Sequence, residues 1–279
     1  MNGAGIAAEI PLVRYIAPLV PYKTFRDMFN TREYLMQYSR RAVTNSRKNS
    51  ESAHNIFSGL VHESARDQSL SDEEVAIEAG NLIMAGSDTT AVTLTYLIWA
   101  VMCRPTLHAQ LENELASLSN NYQETDLELL PSLNATITET LRLYGAAPGS
   151  LPRSVPEGGV KLSGYYIPAG ITVSTQSYSI HRNETLFPEP ENFNPSRWIP
   201  GNERVSDEAK AALSPFGAGS RICLGIHLSW MELRLATAEF FRRCGNVRLA
   251  PGSTEESMWP EHYFLIVPSG HKCEVVVDS

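Results

Sequence analysis

Apolar positions recur along this chain with two periods. From Ser71 to Cys103 the spacing is helical and uninterrupted by Pro, Lys or Arg, until Arg104-Pro105 stops it. Ser71-Asp-Glu-Glu74 reads as a capping box, in which the Ser side chain accepts from a backbone N–H three residues on and the Glu reaches back. At 1.5 Å per residue, roughly 32 residues make a rod of about 48 Å, long enough to cross a domain as a buried central helix. Pro105 opens a second helix ending near Leu118. A third covers Leu133 to Tyr144, with Leu133, Ile137, Leu141 and Tyr144 on one face. Between 150 and 177 the period shortens. Beyond Gly158-Gly159, Tyr165-Tyr166-Ile167 and Ile171–Thr175 read as strands around a Pro168-Ala-Gly170 turn. A Pro-rich irregular stretch, Phe187 to Pro200, leads to a Gly-rich loop at 216–221 and a helix running to about Arg243, which presents Leu224, Leu228, Met231 and Leu235 to a core. The end, His262–Val267 and Lys272–Val277 around Pro268-Ser-Gly270, reads as a hairpin. The pattern predicts a mainly α protein with a minor β-sheet.

Composition narrows the class. The 279 residues are 43% hydrophobic, enough for one large core, and the net charge of -8 argues against a nucleic-acid binder. Residues 1–50 hold eight Lys/Arg (Arg14, Lys23, Arg26, Arg32, Arg40, Arg41, Arg47, Lys48) against Glu9, Asp27 and Glu33, a local +5 that leaves -13 for the rest. Interleaved with Phe25, Phe29, Leu35 and Met36, this segment suits a membrane surface or an acidic partner, or an ordinary amphipathic helix with a solvated basic face. Leu82 to Cys103 resembles a membrane span in hydropathy. Asp88 within it would cost about 2.5–3.5 kcal/mol at a bilayer centre, which favours a buried helix and no transmembrane segment. No signal peptide is apparent at the N-terminus. Cys103, Cys223, Cys244 and Cys273 lie far apart with no CxxC pair, which is neither a disulfide framework nor a zinc site.

The chemistry concentrates at Phe216-Gly-Ala-Gly-Ser-Arg-Ile-Cys-Leu-Gly225. Cys223 stands where a glycine-rich loop meets a helix, and the unpaired N–H groups and positive dipole end there favour a thiolate. Arg221 adds a cation, and Gly217, Gly219 and Gly225 let the backbone approach a flat ligand. A P-loop needs Gly-Lys-Ser/Thr, and a dinucleotide fingerprint needs glycine where Ile222 stands. A cysteine nucleophile needs an oriented base, and His227 has no local partner. A second unusual stretch is Ala85-Gly-Ser-Asp-Thr-Thr90, whose residues are poor helix formers set inside the long helix. They predict a local distortion, or, taken alone, an N-cap at Ser87 or Asp88.

The cysteine loop resembles the heme-binding signature of the cytochrome P-450 family, Phe-x-x-Gly-x-Arg-x-Cys-x-Gly, matched at Phe216, Gly219, Arg221, Cys223 and Gly225. The fold implied is the C-terminal portion of the cytochrome P-450 fold, covering about Pro21 to the C-terminus. The resemblance implies heme b, with Cys223 as axial thiolate and metal ligand, Arg221 on a propionate and Phe216 beside the sulfur. It implies an acid–alcohol pair, Asp88 and Thr89, that binds O2 and relays protons, with Ala85 and Gly86 leaving room over the heme. Glu139 and Arg142, three apart on a helix face opposite the Leu133 stripe, match a family pair that Arg197 of Pro190-Glu-Asn-Phe-Asn-Pro-Ser-Arg197-Trp198 completes. The resemblance implies that this cluster is buried and structural and holds the cysteine loop in place. Arg153 falls where relatives place another propionate contact; a surface Arg reads the same. His181 reads as a hydrogen-bonded structural histidine, and His108 and Glu112 share a face with no third metal ligand.

The function implied is a monooxygenase inserting one atom of O2 into a small apolar organic substrate, as in secondary metabolism. Its electrons come from NADPH through a reductase docking near the cysteine-loop face. Residues 1–66 form a basic helical segment near the substrate entrance, open to peripheral membrane contact, and 67–279 the heme-binding and oxygen-activating region. Members also carry an anchor, roofing helices and a Trp-x-x-x-Arg helix upstream; here the first Trp is Trp99. Location is then intracellular: the cytosolic face of the endoplasmic reticulum with an anchor, cytoplasm without. A catalytically inactive truncated remnant and a heme-thiolate isomerase or dehydratase are the rival readings. The Asp88-Thr89 pair argues against the latter.

Overall fold

The computed structural model describes residues 31–48, 71–201 and 205–277. The basic residues Arg14, Lys23 and Arg26 and the aromatic Phe25 and Phe29 lie outside them. Compact units comprise Met1–Asp88 and Thr89–Ser279.

In the first unit, α1 (Thr31–Lys48) meets the start of α2 (Asp72–Met102). The capping box forms: the Ser71 backbone N–H donates to Glu74 Oε2 at 2.7 Å, and the Glu74 N–H donates to Ser71 Oγ at 3.3 Å. Small residues let the two helices approach. A Cβ on Gly80 would come 2.9 Å from Ser39 Oγ. Arg40 and Arg41 are exposed, and Arg40 pairs with Glu73 at 2.8 Å.

α2 stays α-helical through 85–90, so the expected distortion does not occur. Cap and flanking apolar turns propagate the helix across poor formers, as context overrides intrinsic propensity. Nor is the whole rod buried: 84–88 are exposed, whereas Tyr96, Leu97, Ala100 and Val101 are fully covered.

In the second unit, Leu97 and Val101 of α2 join Leu111 and Leu115 of α3 (Pro105–Ala116), Leu127 of α4 (Glu124–Glu128), Leu133, Ile137 and Leu141 of α5 (Pro131–Tyr144) and Leu233, Ala238 and Phe241 of α8 (Ile226–Arg243). A second cluster stacks Tyr96 on Tyr144, with ring centroids 4.7 Å apart and planes within 3°. Arg234 of α8 clamps α4 and α5, donating to Glu124, Glu128 and Asn134, each at 2.8 Å. Two more short helices follow in chain order before α8: α6 (Ser177–Ile180) and α7 (Asp207–Ala212).

The β content forms four two-stranded antiparallel pairs. β1 (Ser150–Ser154) pairs with β4 (Thr172–Gln176), in register Ser150 to Gln176 and Leu151 to Thr175. The alternation of side chains does not mark β1, because Pro152 stands at its centre and both faces are exposed. β2 (Val160–Leu162) pairs with β3 (Tyr165–Ile167). The C-terminal hairpin differs from expectation: β6 (Pro260–His262) pairs with β7 (Ile266–Pro268), while β8 (Val275–Val277) pairs with β5 (Val247–Leu249). Pro268-Ser-Gly270 turns the chain away from β7, and Gly270 N–H donates to Ser257 O at 2.7 Å. The α8 stripe also departs from expectation. Leu224, Leu228 and Met231 are 88%, 38% and 37% exposed, whereas Trp230 and Leu235 pack against the core and the fully buried positions of α8 start at Leu233.

Charge is buried behind α5. Glu139 and Arg142 are 0% and 1% exposed, so this helix is covered on the face opposite its apolar stripe as well. Glu139 accepts from Arg142 Nε and a terminal nitrogen (2.9 and 2.8 Å), Arg197 Nε (3.3 Å), Trp198 Nε1 (2.8 Å) and the Asn194 N–H (2.8 Å). Arg142 also donates to the carbonyls of His181, Pro190 and Asn192. His181 Nδ1 lies 3.0 Å from the Arg142 carbonyl, and its Nε2 accepts from the Ser214 N–H at 2.9 Å. Nε2 is thus the acceptor and Nδ1 carries the proton. Burial foremost, with the nearby arginines adding, lowers the His181 pKa to about 4.

Two outcomes follow from this cluster. Glu139→Ala leaves two buried guanidiniums without a counter-ion and lowers unfolding stability by about 3–5 kcal/mol, read from urea midpoints. Because the folded His181 titrates below the unfolded value near 6.5, stability is retained above pH 6.5 and falls between pH 6.5 and 4. The His181→Gln variant, which takes up no proton, flattens that limb in the same denaturation series.

Candidate active site

The cysteine loop starts where the buried cluster ends. Ser214, held by His181, is two residues before Phe216, which packs its ring against the main core. The Cys223 N–H then returns to the Phe216 carbonyl at 2.8 Å and closes the loop. Gly217 and Gly219 carry φ of +73° and +71°, a region where a side chain costs energy. They let the chain turn into a short 3-10 segment, Gly219–Arg221, before Gly225 caps α8 with φ of -87°. The result projects Cys223, a free and exposed thiol, from the entrance to an 18-residue helix.

The surroundings of that thiol are apolar and cationic. Ile222 and Leu224 are exposed beside it. Leu151 of β1 lies against the loop, its Cδ1 3.7 Å from where a Gly217 Cβ would stand. Residues two apart on a strand share a face, so Arg153 leaves β1 on the side that Leu151 directs to the loop. Arg153 is exposed and bonds only its neighbour's Pro152 carbonyl, and Arg221 has no ion pair among the described residues. Gly225 lies close to the sulfur: a Cβ there would come 4.0 Å from Cys223 Sγ, an ordinary contact distance.

The structure therefore brings together Phe216, Gly219, Arg221, Cys223 and Gly225 in one loop with β1 and Arg153 alongside, and joins Glu139, Arg142 and Arg197 behind it. Ala85, Gly86 and Asp88 are exposed on α2, and Thr89 is partly buried, with its carbonyl accepting from Thr93 Oγ1 at 2.9 Å. His108 and Glu112 meet at 3.3 Å, and no group of three potential metal ligands occurs among the described residues. Trp198 and Asn194 as donors to Glu139, Leu151 against Gly217, and the Arg234 clamp escape sequence reasoning. The Pro-Glu-Asn-Phe-Asn-Pro-Ser-Arg-Trp run carries a weak signal for the first two. Nothing local signals the others, because each joins positions distant in the chain.

The family model for cytochrome P450 matches residues 7–275. The chain is similar to cytochrome P450 monooxygenase aflV of Aspergillus parasiticus, 43% identical over 270 residues, covering 95% of this chain and 53% of that protein. It is also similar to cytochrome P450 monooxygenase cypX of Dothistroma septosporum, 41% identical over 97% of this chain and 54% of that protein. A third similarity is to cytochrome P450 monooxygenase stcB of Emericella nidulans, 40% identical over 95% and 51%. The chain spans about half the length of these curated relatives. With the matched model covering nearly all of it, the chain belongs to the cytochrome P450 family.

Proposed function

We propose that this chain supplies the iron-binding and oxygen-activating part of a heme-thiolate monooxygenase acting on a small apolar organic substrate, with Cys223 as the iron ligand. The observation that carries this reading is the free, exposed Cys223 on a glycine-opened loop flanked by two exposed arginines. The residues fit heme. A flat, apolar, dianionic tetrapyrrole suits exposed Leu151, Ile222 and Leu224 for its faces and edges, and Arg153 and Arg221 for its carboxylates. Bound there, heme supplies an iron whose thiolate ligation favours O–O cleavage.

The protein's own groups then divide the work. Cys223 holds the iron while its backbone N–H stays committed to Phe216. Asp88, open to solvent, and Thr89 pass protons to the oxygen site, with small Ala85 and Gly86 leaving space. The Glu139–Arg142–Arg197 cluster, through His181 and Ser214, positions the loop. Electrons come from NADPH through a reductase. Among the described residues no helix is long and apolar enough to cross a membrane. The solvent-facing Arg40 and Arg41 of α1 support peripheral contact with a membrane, and an intracellular location agrees with four free cysteines.

A second reading has an observation in its favour. Leu228 and Met231, apolar yet 38% and 37% exposed, support a truncated remnant that is catalytically inactive. Reduction under CO separates the two. The active reading gives a thiolate-type Soret shift that disappears in Cys223→Ala, whereas a colourless product supports the second. NADPH- and reductase-dependent product formation that falls about 100-fold in Thr89→Ala distinguishes oxygen insertion from reductase-independent isomerase or dehydratase chemistry.

A further inference from the structure

A cavity of about 520 Å³ lies where the end of α2, the starts of α3 and α5 and the 3-10 turn Pro195–Trp198 meet, within the range of small-molecule sites. All four elements meet inside the second unit. None of the residues lining the cavity comes from the cysteine loop, from Ala85–Thr90 or from the β ribbons, so the oxygen chemistry leaves it unused. Leu107, Pro195 and Ile199 give it apolar walls, and Phe193 carries the Arg104 guanidinium 4.9 Å from its ring centre.

The polar groups in those walls lack an acceptor. Arg104, partly buried, gives one terminal nitrogen to the Ala100 carbonyl at 2.8 Å and meets no carboxylate among the described residues. Ser132 is only 7% exposed, and its Oγ accepts from Gln110 Nε2 at 2.9 Å; its own hydroxyl proton has no acceptor among the described residues. The Asn194 side-chain oxygen accepts from the Ser196 N–H and hydroxyl (3.2 and 2.6 Å), while its amide N–H groups bond nothing among them. α3 starts without a side-chain cap, and Pro105 has no N–H, which leaves the Thr106 and Leu107 N–H groups unpaired at the cavity. The one carboxylate of α3 that reaches α5, Glu114, is engaged by the Ser132 and Leu133 N–H groups, each at 2.8 Å. Cys103 is exposed at the edge.

We propose that this cavity binds a small carboxylic acid with an apolar body, its carboxylate held by Arg104, Ser132 and the first N–H groups of α3 and its body set against Leu107, Pro195 and Ile199. An ionised carboxylate offers acceptors only, which is what a donor-rich wall requires, and its bonds to charged donors are the strong ones. One unbalanced guanidinium matches one negative charge, whereas a dianion such as a phosphate ester would be left half compensated in a partly buried site. The cavity is remote from the sulfur but shares a wall with the buried cluster. The turn beside it brings Arg197, Trp198 and the Asn194 N–H to Glu139, so a bound acid braces that turn.

Fluorescence titration of the full chain with 2-naphthoate and with 2-naphthamide tests this, since the two probes differ in charge and hardly in shape. The expected result is about tenfold tighter binding of naphthoate. Saturating naphthoate also slows N-ethylmaleimide labelling of Cys103 about fivefold, mapped by mass spectrometry, and leaves the rate at Cys223 unchanged. In Arg104→Gln the preference for the acid shrinks to less than about twofold, Arg104→Lys, which keeps the charge, retains part of it, and Ser132→Ala weakens naphthoate about fivefold. Circular dichroism verifies that the variants fold. Equal affinity for acid and amide, binding of neither, a preference unchanged in Arg104→Gln, or labelling of Cys103 that is not slowed overturns the site. Protection of Cys223 in place of Cys103 puts the acid on the cysteine-loop arginines and overturns it as well. The affinity comparison and the labelling need no variant, so they decide the matter even where a substitution disturbs folding. None of these measurements involves heme, and their failure leaves the heme-thiolate reading untouched.

Discussion

The rest of the second unit depends on one buried carboxylate. Moving an ionised side chain out of water costs several kcal/mol unless its oxygens are fully engaged. Both oxygens of Glu139 are: two arginines, an indole and a backbone amide converge on them. These donors come from α5 and from 194–198, a single 3-10 turn (Pro195–Trp198) capped by Asn194. Arg142 extends the same device to the carbonyls of residues 181, 190 and 192. Side-chain hydrogen bonds thus do for this segment what a ladder does for a sheet, and removing one charge leaves the others stranded.

That constraint reaches the chemistry through a histidine. His181 bonds the Arg142 carbonyl with one ring nitrogen and the Ser214 amide with the other, which requires it to stay neutral. From Ser214 the chain enters the loop that ends at Cys223. The loop itself is set by two left-handed glycines and one backbone bond, so its shape is local while its placement is long-range. The ribbon carrying Leu151 and Arg153 lies beside it.

Periodicity, stop signals and motif spacing were enough to read the helical class, the Ser71 capping box, the Pro105 start and the loop-to-helix junction at Cys223. Each of these is a local event, decided within a turn or two of the chain. The Glu139–Arg142 pair was legible as a spacing but not as a buried site, because i,i+3 charge pairs are ordinary on solvated helices. The family resemblance joined Arg197 to the pair, and tertiary packing alone decided that Trp198 and Asn194 converge there too. It also decided that β8 crosses to β5 instead of folding back on β7, and that α2 keeps its helical assignment through Ala85–Thr90. The same holds for the exposed Leu224 stripe and for the meeting of Tyr178 with His262, 84 positions apart. Local sequence specifies conformation through short-range hydrogen bonds and sterics. Which faces meet depends on contacts whose free energy exists only after distant segments have been brought together.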